Sequence, residues 1–194
     1  MKKIKLGLIG FGTIGTGVVD NILNQNGLIN NRRGIELAFK YICDKDLTTD
    51  RGIKVEKDIL VDDWKKVVED EEVDIIIELV GGVDLPYEIV SYALANKKHV
   101  VTANKALLAK KGKEIFKSSR ENQREVGFEA SVAGGIPIIK VITEALVSNN
   151  INGIYGIING TTNYILTKMI DEKMSFPDAL KKAQELGFAE ADPT

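Results

Sequence analysis

Ile4-Lys5-Leu6-Gly7-Leu8-Ile9-Gly10-Phe11-Gly12-Thr13-Ile14-Gly15 is the stretch that decides the fold of this chain. Ile4 to Ile9 is a short, mostly apolar run ended by glycine, the pattern of a buried parallel strand. From Thr13 the period changes. Ile14, Val18, Val19, Ile22 and Leu23 fall on one helical face, with Gly27 as the expected stop. Between strand and helix, Gly10-Phe11-Gly12-Thr13-Ile14-Gly15 satisfies G-x-G-x-x-G. In that pattern the first glycine permits a tight turn, the second lets a pyrophosphate approach the backbone, and the third lets helix and strand pack closely. A helix starting near Thr13 aims its free N–H groups and its positive dipole end at the same anion. A lone match of this kind also serves ordinary turns; the flanking strand and amphipathic helix supply the context that makes it a dinucleotide cradle.

Working outward, strand and helix patterns alternate. Ile35 to Cys43 reads as the next strand, followed by Asp44-Lys45-Asp46. Trp64, Val67 and Val68 stand at helical spacing, and Val73 to Val80 is a strand-like run ended by Gly81-Gly82. Pro86 opens a helix, His99 to Thr102 is a strand, Lys105 to Ser119 a helix, and Val126 to Ala130 a strand. Such alternation implies a doubly wound parallel sheet with crossover helices, a Rossmann-type α/β fold. The character changes near Ala133-Gly134-Gly135-Ile136-Pro137. Beyond it a helix (Ile138 to Val147), a strand (Ile151 to Ile158), a helix after Gly160-Thr161-Thr162 and a helix capped by Ser175 are expected. The expected organisation is a dinucleotide-binding domain over 1–133 and the start of an α+β substrate and dimerisation domain over 134–194.

Bulk properties narrow the classes. The 194 residues are 44% hydrophobic and 28% charged, with a net charge of -2. There is no basic stripe with interleaved aromatics, so a nucleic-acid surface is not expected. No apolar run approaches the roughly 20 residues of a membrane span. The N-terminus shows no signal-peptide cleavage pattern. Cys43 is the sole cysteine, which excludes an intrachain disulfide and cysteine-based zinc sites and fits a reducing, cytoplasmic compartment. His99 is the sole histidine and reads as structural, which leaves Ser-His-Asp catalysis without a separate base.

Five further stretches could carry chemistry. The end of the second strand distinguishes NAD from NADP, because an acidic residue there binds a ribose 2′-OH and a basic one receives a 2′-phosphate. Asp44-Lys45-Asp46 offers both, and a solvated loop is the plain alternative. Thr102-Ala103-Asn104-Lys105 places Lys105 just past a strand's C-terminal end, where open α/β sheets bind ligands. Glu129-Ala130-Ser131-Val132-Ala133-Gly134-Gly135 could crowd carbonyls around an oxygen-ligated cation or simply form an interdomain bend. Asn159-Gly160-Thr161-Thr162-Asn163-Tyr164 could hold a small polar ligand or cap a helix, and Glu190-Ala191-Asp192-Pro193 could be a solvated loop.

Taken together and in order, these motifs resemble the amino-terminal part of the homoserine dehydrogenases over essentially the whole chain, ending with Leu186-Gly187-Phe188-Ala189-Glu190-Ala191-Asp192-Pro193-Thr194. That family interconverts L-homoserine and L-aspartate 4-semialdehyde with NAD or NADP, on the route to threonine and methionine. The resemblance implies a cofactor held by Gly10, Phe11, Gly12, Thr13, Ile14, Gly15, Lys45, Thr102 and Lys105. Lys105 would lie in the active site at the nicotinamide end, and Thr161 and Glu190 would help bind homoserine. A sodium-type cation would sit near Glu129 on carbonyls of Val132, Gly134 and Ile136. Lys45 matches the basic position used for the NADP phosphate, whereas Asp44 beside it departs from the pattern. The resemblance also implies a small-molecule substrate and a homo-oligomeric parent. The family's acid/base lysine and a companion aspartate would fall beyond Thr194, so a fragment inactive by itself is expected. Two other readings stand beside this one: a non-catalytic NAD(P)-sensing module, and another Rossmann-group dehydrogenase of a semialdehyde or amino acid. Aspartate-semialdehyde dehydrogenase would need a nucleophilic cysteine in the second domain, and Cys43 lies on the cofactor side.

Overall fold

The computed structural model describes residues 2–189, which divide into two compact units, one up to Ala145 and one from Leu146. The first unit is built on six parallel strands. They are β1 (Lys2–Ile9), β2 (Ile35–Cys43), β3 (Leu60–Val61), β4 (Ile75–Glu78), β5 (His99–Thr102) and β6 (Val126–Gly127), in the order β3-β2-β1-β4-β5-β6. The order reverses between β1 and β4. The crevice beyond the C-terminal ends of those two strands is where a doubly wound sheet takes its ligand.

Both faces of the sheet are packed, as parallel strands require. Leu6, Leu8, Ile42 and Ile77 pack with Val19 of helix α1 (Thr13–Arg33). Ile9, Ile76 and Val100 pack the other way. Their partners are Val67 and Val68 of α2 (Trp64–Glu69), Ile89 and Leu94 of α3 (Asp84–Ala95), and Leu107 and Ile115 of α4 (Lys105–Asn122).

Helix α1 overruns its expected end. It passes through Gly27 and stops at Gly34, whose φ of 67° is left-handed and whose N–H donates to the Asn30 carbonyl at 2.7 Å. A mid-helix glycine costs only about 1 kcal/mol. The glycine that follows Arg32 and Arg33, cations suited to the helix's negative end, is the one the chain uses as its stop.

The expected strand Val126 to Ala130 is shorter. It ends at Gly127 and turns at Glu129–Ser131 into the bend around Ala133 and Gly134, both at positive φ. Helix α5 (Ile138–Lys140) continues through a wider turn over Val141–Ala145. The Glu129 carboxylate accepts the N–H groups of Ile139 at 2.9 Å and Lys140 at 3.0 Å, so Gly134 to Ala145 is tied into the first unit.

In the second unit, α6 (Gly160–Asp171) is capped by Asn159 and α7 (Phe176–Glu185) by Ser175. Ile165 of α6 packs against Ala179 and Ala183 of α7 in a small core of their own. The strand expected over Ile151 to Ile158 is absent: the segment carries no ladder, and Ile154, Tyr155, Ile157 and Ile158 are 71–100% exposed. An apolar run becomes a strand only where a partner edge accepts its hydrogen bonds. Among the described residues of this unit there is no other strand.

Candidate active site

The glycine turn is built by close backbone approach. Gly10 takes φ 101°, and a Cβ there would lie 2.7 Å from the Leu79 carbonyl group. A Cβ on Gly15 would lie 2.1 Å from the Gly10 carbonyl oxygen. Gly12 is different: it is exposed, it is the N-cap of α1, and nothing lies within 4 Å of the Cβ it lacks. No side chain caps α1. Its first N–H groups therefore face the space above Gly12, Thr13 and Ile14, where an anion can take them. The cradle fits a pyrophosphate by this chemistry, with Gly10 and Gly15 shaping it and Gly12 leaving it open.

The end of β2 closes one side. Gly10 N–H donates to the Cys43 carbonyl at 2.9 Å. Asp44 accepts the Phe11 N–H at 2.6 Å through one carboxylate oxygen and the Asp46 N–H at 3.0 Å through the other. Lys45 is exposed beside them. Arg51 was not signalled by any local pattern, yet it fastens the following loop to the turn. Its guanidinium donates to the carbonyls of Phe11, Thr49 (2.9 Å) and Asp46 (2.7 Å), and lies over the Phe11 ring at 4.7 Å. The Asp46 carboxyl is held well below its ordinary range by the hydroxyl and N–H of Thr49 and those of Thr48.

The ends of β4 and β5 close the other side. Leu79 N–H donates to the Ile9 carbonyl at 2.8 Å. Thr102 is fully buried and donates its hydroxyl to Glu78 at 2.7 Å. Asn104 caps α4, accepting the Leu107 N–H at 2.9 Å, and donates its amide to the carbonyls of Val80 (3.2 Å) and Gly82 (2.8 Å). Lys105 is the first residue of α4 and is exposed, and no hydrogen bond or ion pair holds its ammonium among the described residues. The first unit thus brings Gly10 to Gly15, Lys45, Thr102 and Lys105 to one end of one sheet. Two surface cavities, of about 770 and 840 Å³, lie elsewhere: one at the N-terminal ends of the strands by Lys2, Asp74 and His99, the other between α4 and α5.

The remaining candidates have other surroundings. Both oxygens of Glu129 are taken by N–H groups of Ile139 and Lys140, and the Ile136 carbonyl accepts the Ile138 N–H at 2.8 Å. No group of three or more His, Cys, Asp or Glu residues that could hold a metal occurs among the described residues. Any ion at Val132, Gly134 and Ile136 would therefore be held chiefly by carbonyls. Thr161 stands in the second unit, its hydroxyl donating to the Phe188 carbonyl. Glu190 lies outside the described residues. Burial, with Asp44, Asp63 and Asp62 nearby, pushes the Cys43 thiol up to about 12, which removes it as a nucleophile. His99 accepts the Glu125 N–H on Nδ1 at 3.1 Å. No helix among the described residues is long and apolar enough to cross a membrane.

Comparison with known proteins adds an independent line. Residues 10–129 match the family model "Homoserine dehydrogenase, NAD binding domain", and residues 137–194 match the model "Homoserine dehydrogenase". A homoserine dehydrogenase of Bacillus subtilis (strain 168) is 46% identical over 194 residues, 100% of this chain and 45% of its own length. A crystal structure of a homoserine dehydrogenase from Thiobacillus denitrificans superposes with a TM-score of 0.89 at 46% identity, again over 100% of this chain and 45% of the other. A hyperthermophilic archaeal homoserine dehydrogenase mutant, solved in complex with NADPH, gives a TM-score of 0.79 at 28% identity, covering 98% of this chain and 63% of that one. The chain therefore spans about 45% of the length of the bacterial relatives it matches.

Proposed function

Given that the chain belongs to the homoserine dehydrogenase family, we propose that it supplies the cofactor half of an enzyme interconverting L-homoserine and L-aspartate 4-semialdehyde, a step of amino-acid biosynthesis in the cytoplasm. The observation that carries this reading is the glycine turn: Gly12 open to an anion, Gly10 and Gly15 locked by backbone contacts, and the bare start of α1 above the sheet's switch point. The bound nicotinamide would supply the hydride acceptor. The chain's own residues would bind and orient it. The α1 N–H groups would bind the pyrophosphate, Lys45 would receive the 2′-phosphate of NADP, and Thr102 and Lys105 would border the nicotinamide end. The carbon bearing the substrate hydroxyl releases hydride only as the hydroxyl proton leaves, so a cation near the reacting oxygen favours the step. Lys105, exposed at the head of α4 and unpaired among the described residues, suits that orienting and polarising role.

Thr161 and Glu190 would contribute to homoserine binding. A monovalent cation near Glu129 would rest on the carbonyls of Val132, Gly134 and Ile136. The domain boundary falls near residue 133 in this reading, supported by the two family matches, which change over between 129 and 137.

The test is L-homoserine-dependent reduction of NAD or NADP by a protein carrying residues 1–194 within a chain of full family length. Turnover that falls by about 100-fold or more in Lys105→Ala, with cofactor affinity kept within a few-fold, is expected. No homoserine-dependent reduction with the wild-type residues, or full rate in Lys105→Ala, would overturn the assignment.

A further inference from the structure

A buried carboxylate that none of the steps above uses sits at the centre of the site's floor. Glu78, the last residue of β4, is 0% exposed, and no cation pairs with it among the described residues. One of its oxygens accepts the Val80 N–H at 2.7 Å and the other accepts the Thr102 hydroxyl at 2.7 Å. The Thr102 oxygen in turn accepts the Asn104 N–H at 3.1 Å, and the Asn104 side chain returns to the carbonyls of Val80 and Gly82. The bonds form a closed ring from β4 to β5, to the cap of α4, and back to the turn after β4.

The ring touches both halves of the site. Leu79, between Glu78 and Val80, packs on Gly10 so closely that a Cβ there would meet it at 2.7 Å. Asn104 precedes Lys105 and fixes the first turn of α4 through Leu107. Fully burying a carboxyl is costly, and burial does push the Glu78 carboxyl above its usual range, against the opposing pull of Thr102 and the Val80 N–H. Fold alone does not demand it: strand residues at this depth elsewhere in β4, Ile76 and Ile77, are aliphatic.

We propose that Glu78 is a positioning residue for the nicotinamide half of the dinucleotide, holding the Val80–Gly82 turn and the Thr102–Lys105 segment in one fixed arrangement through the ring it closes with Thr102 and Asn104. The proposal rests on the cofactor reading given above. A neutral amide at this position can satisfy the Val80 N–H but turns a donor toward Thr102. That leaves the Thr102 hydroxyl hydrogen without its acceptor, so Glu78→Gln loosens the ring at nearly constant volume.

The experiment measures dissociation constants of the 194-residue chain for NADH and for ADP-ribose, which lacks nicotinamide, together with Tm. It uses wild type, Glu78→Gln, Thr102→Val and Thr102→Ser. The expected result is that Glu78→Gln and Thr102→Val keep ADP-ribose affinity within about two-fold while the preference for NADH over ADP-ribose falls about 10-fold, the value of roughly one hydrogen bond. Thr102→Ser, which keeps the hydroxyl, should recover most of that preference. An unchanged preference in both disrupting variants, an equal fall for both ligands, or a wild type with no preference to lose would overturn the proposal. Failure of wild type to bind ADP-ribose at all would instead overturn the cofactor reading on which it rests.

Discussion

Gly12 and Gly15 belong to the same turn and should fail in different ways when each becomes alanine. A methyl on Gly15 would stand 2.1 Å from the Gly10 oxygen. An ordinary carbon–oxygen approach is about 3.3 Å, so α1 must back away from β1 by roughly 1 Å. Overpacking of that kind costs about 1–3 kcal/mol, which for a chain of this size lowers Tm by about 2–12 °C. A methyl on Gly12 meets nothing within 4 Å, and φ of -76° there suits alanine, so Tm should stay within about 1 °C of wild type. It would, however, occupy the pyrophosphate's approach. Losing one charge-assisted hydrogen bond of about 1.5–3 kcal/mol weakens NADH or NADPH binding by about 10- to 150-fold. Differential scanning fluorimetry and isothermal titration on the two variants read both quantities. The reasoning is refuted if Gly12→Ala binds dinucleotide as wild type does, or if it loses as much Tm as Gly15→Ala.

Other outcomes follow from the same geometry. Lys45→Ala should weaken NADPH by about 10-fold or more and leave NADH within about two-fold, read by fluorescence titration; equal affinities for NADPH before and after the change would remove Lys45 from the phosphate site. The Asp70 carboxyl is pulled down to about 2 by Lys40, the Glu72 N–H and Tyr41, which together outweigh the opposing effect of its burial. Its contribution to stability is therefore complete above the ordinary carboxylate value and is lost as pH falls through that value toward about 2. Acid unfolding of wild type between about pH 4 and 2 should be steeper than that of Asp70→Asn, whose curve should be flatter there. Cys43 should resist a thiol reagent such as DTNB in the native chain and react at once in denaturant; rapid native labelling would contradict its burial.

Much of the cofactor side was legible because its signals are local. The spacing Gly10, Gly12, Gly15, the apolar runs on either side, and a lysine three residues past the end of a strand each occupy a few adjacent residues. What escaped is long-range. Arg51 grips Phe11 across 40 positions and Glu78 meets Thr102 across 24, and neither contact leaves a periodic trace. Glu78 did carry one usable sign: it is a charged residue inside the otherwise apolar run from Ile75 to Leu79, where a lone carboxylate is rare unless held. Gly27 and Gly34 show the limit of reading stops by residue type, since both are glycine and only the fold sets which one takes a left-handed φ. Ile151 to Ile158 shows the same limit for strands, because alternation and β-branching do not supply a neighbouring edge.

The central claim, a dinucleotide seated on the start of α1 with its nicotinamide end toward Lys105, is tested most directly by amide chemical-shift mapping of the ¹⁵N-labelled chain during titration with NADPH. Saturable shifts of the Gly12, Thr13 and Ile14 amides and of Lys105, with ADP-ribose moving the first three and sparing Lys105, are the predicted result. Saturable binding that leaves Gly12 to Ile14 unmoved, or no saturable shift at any of these amides, would contradict it.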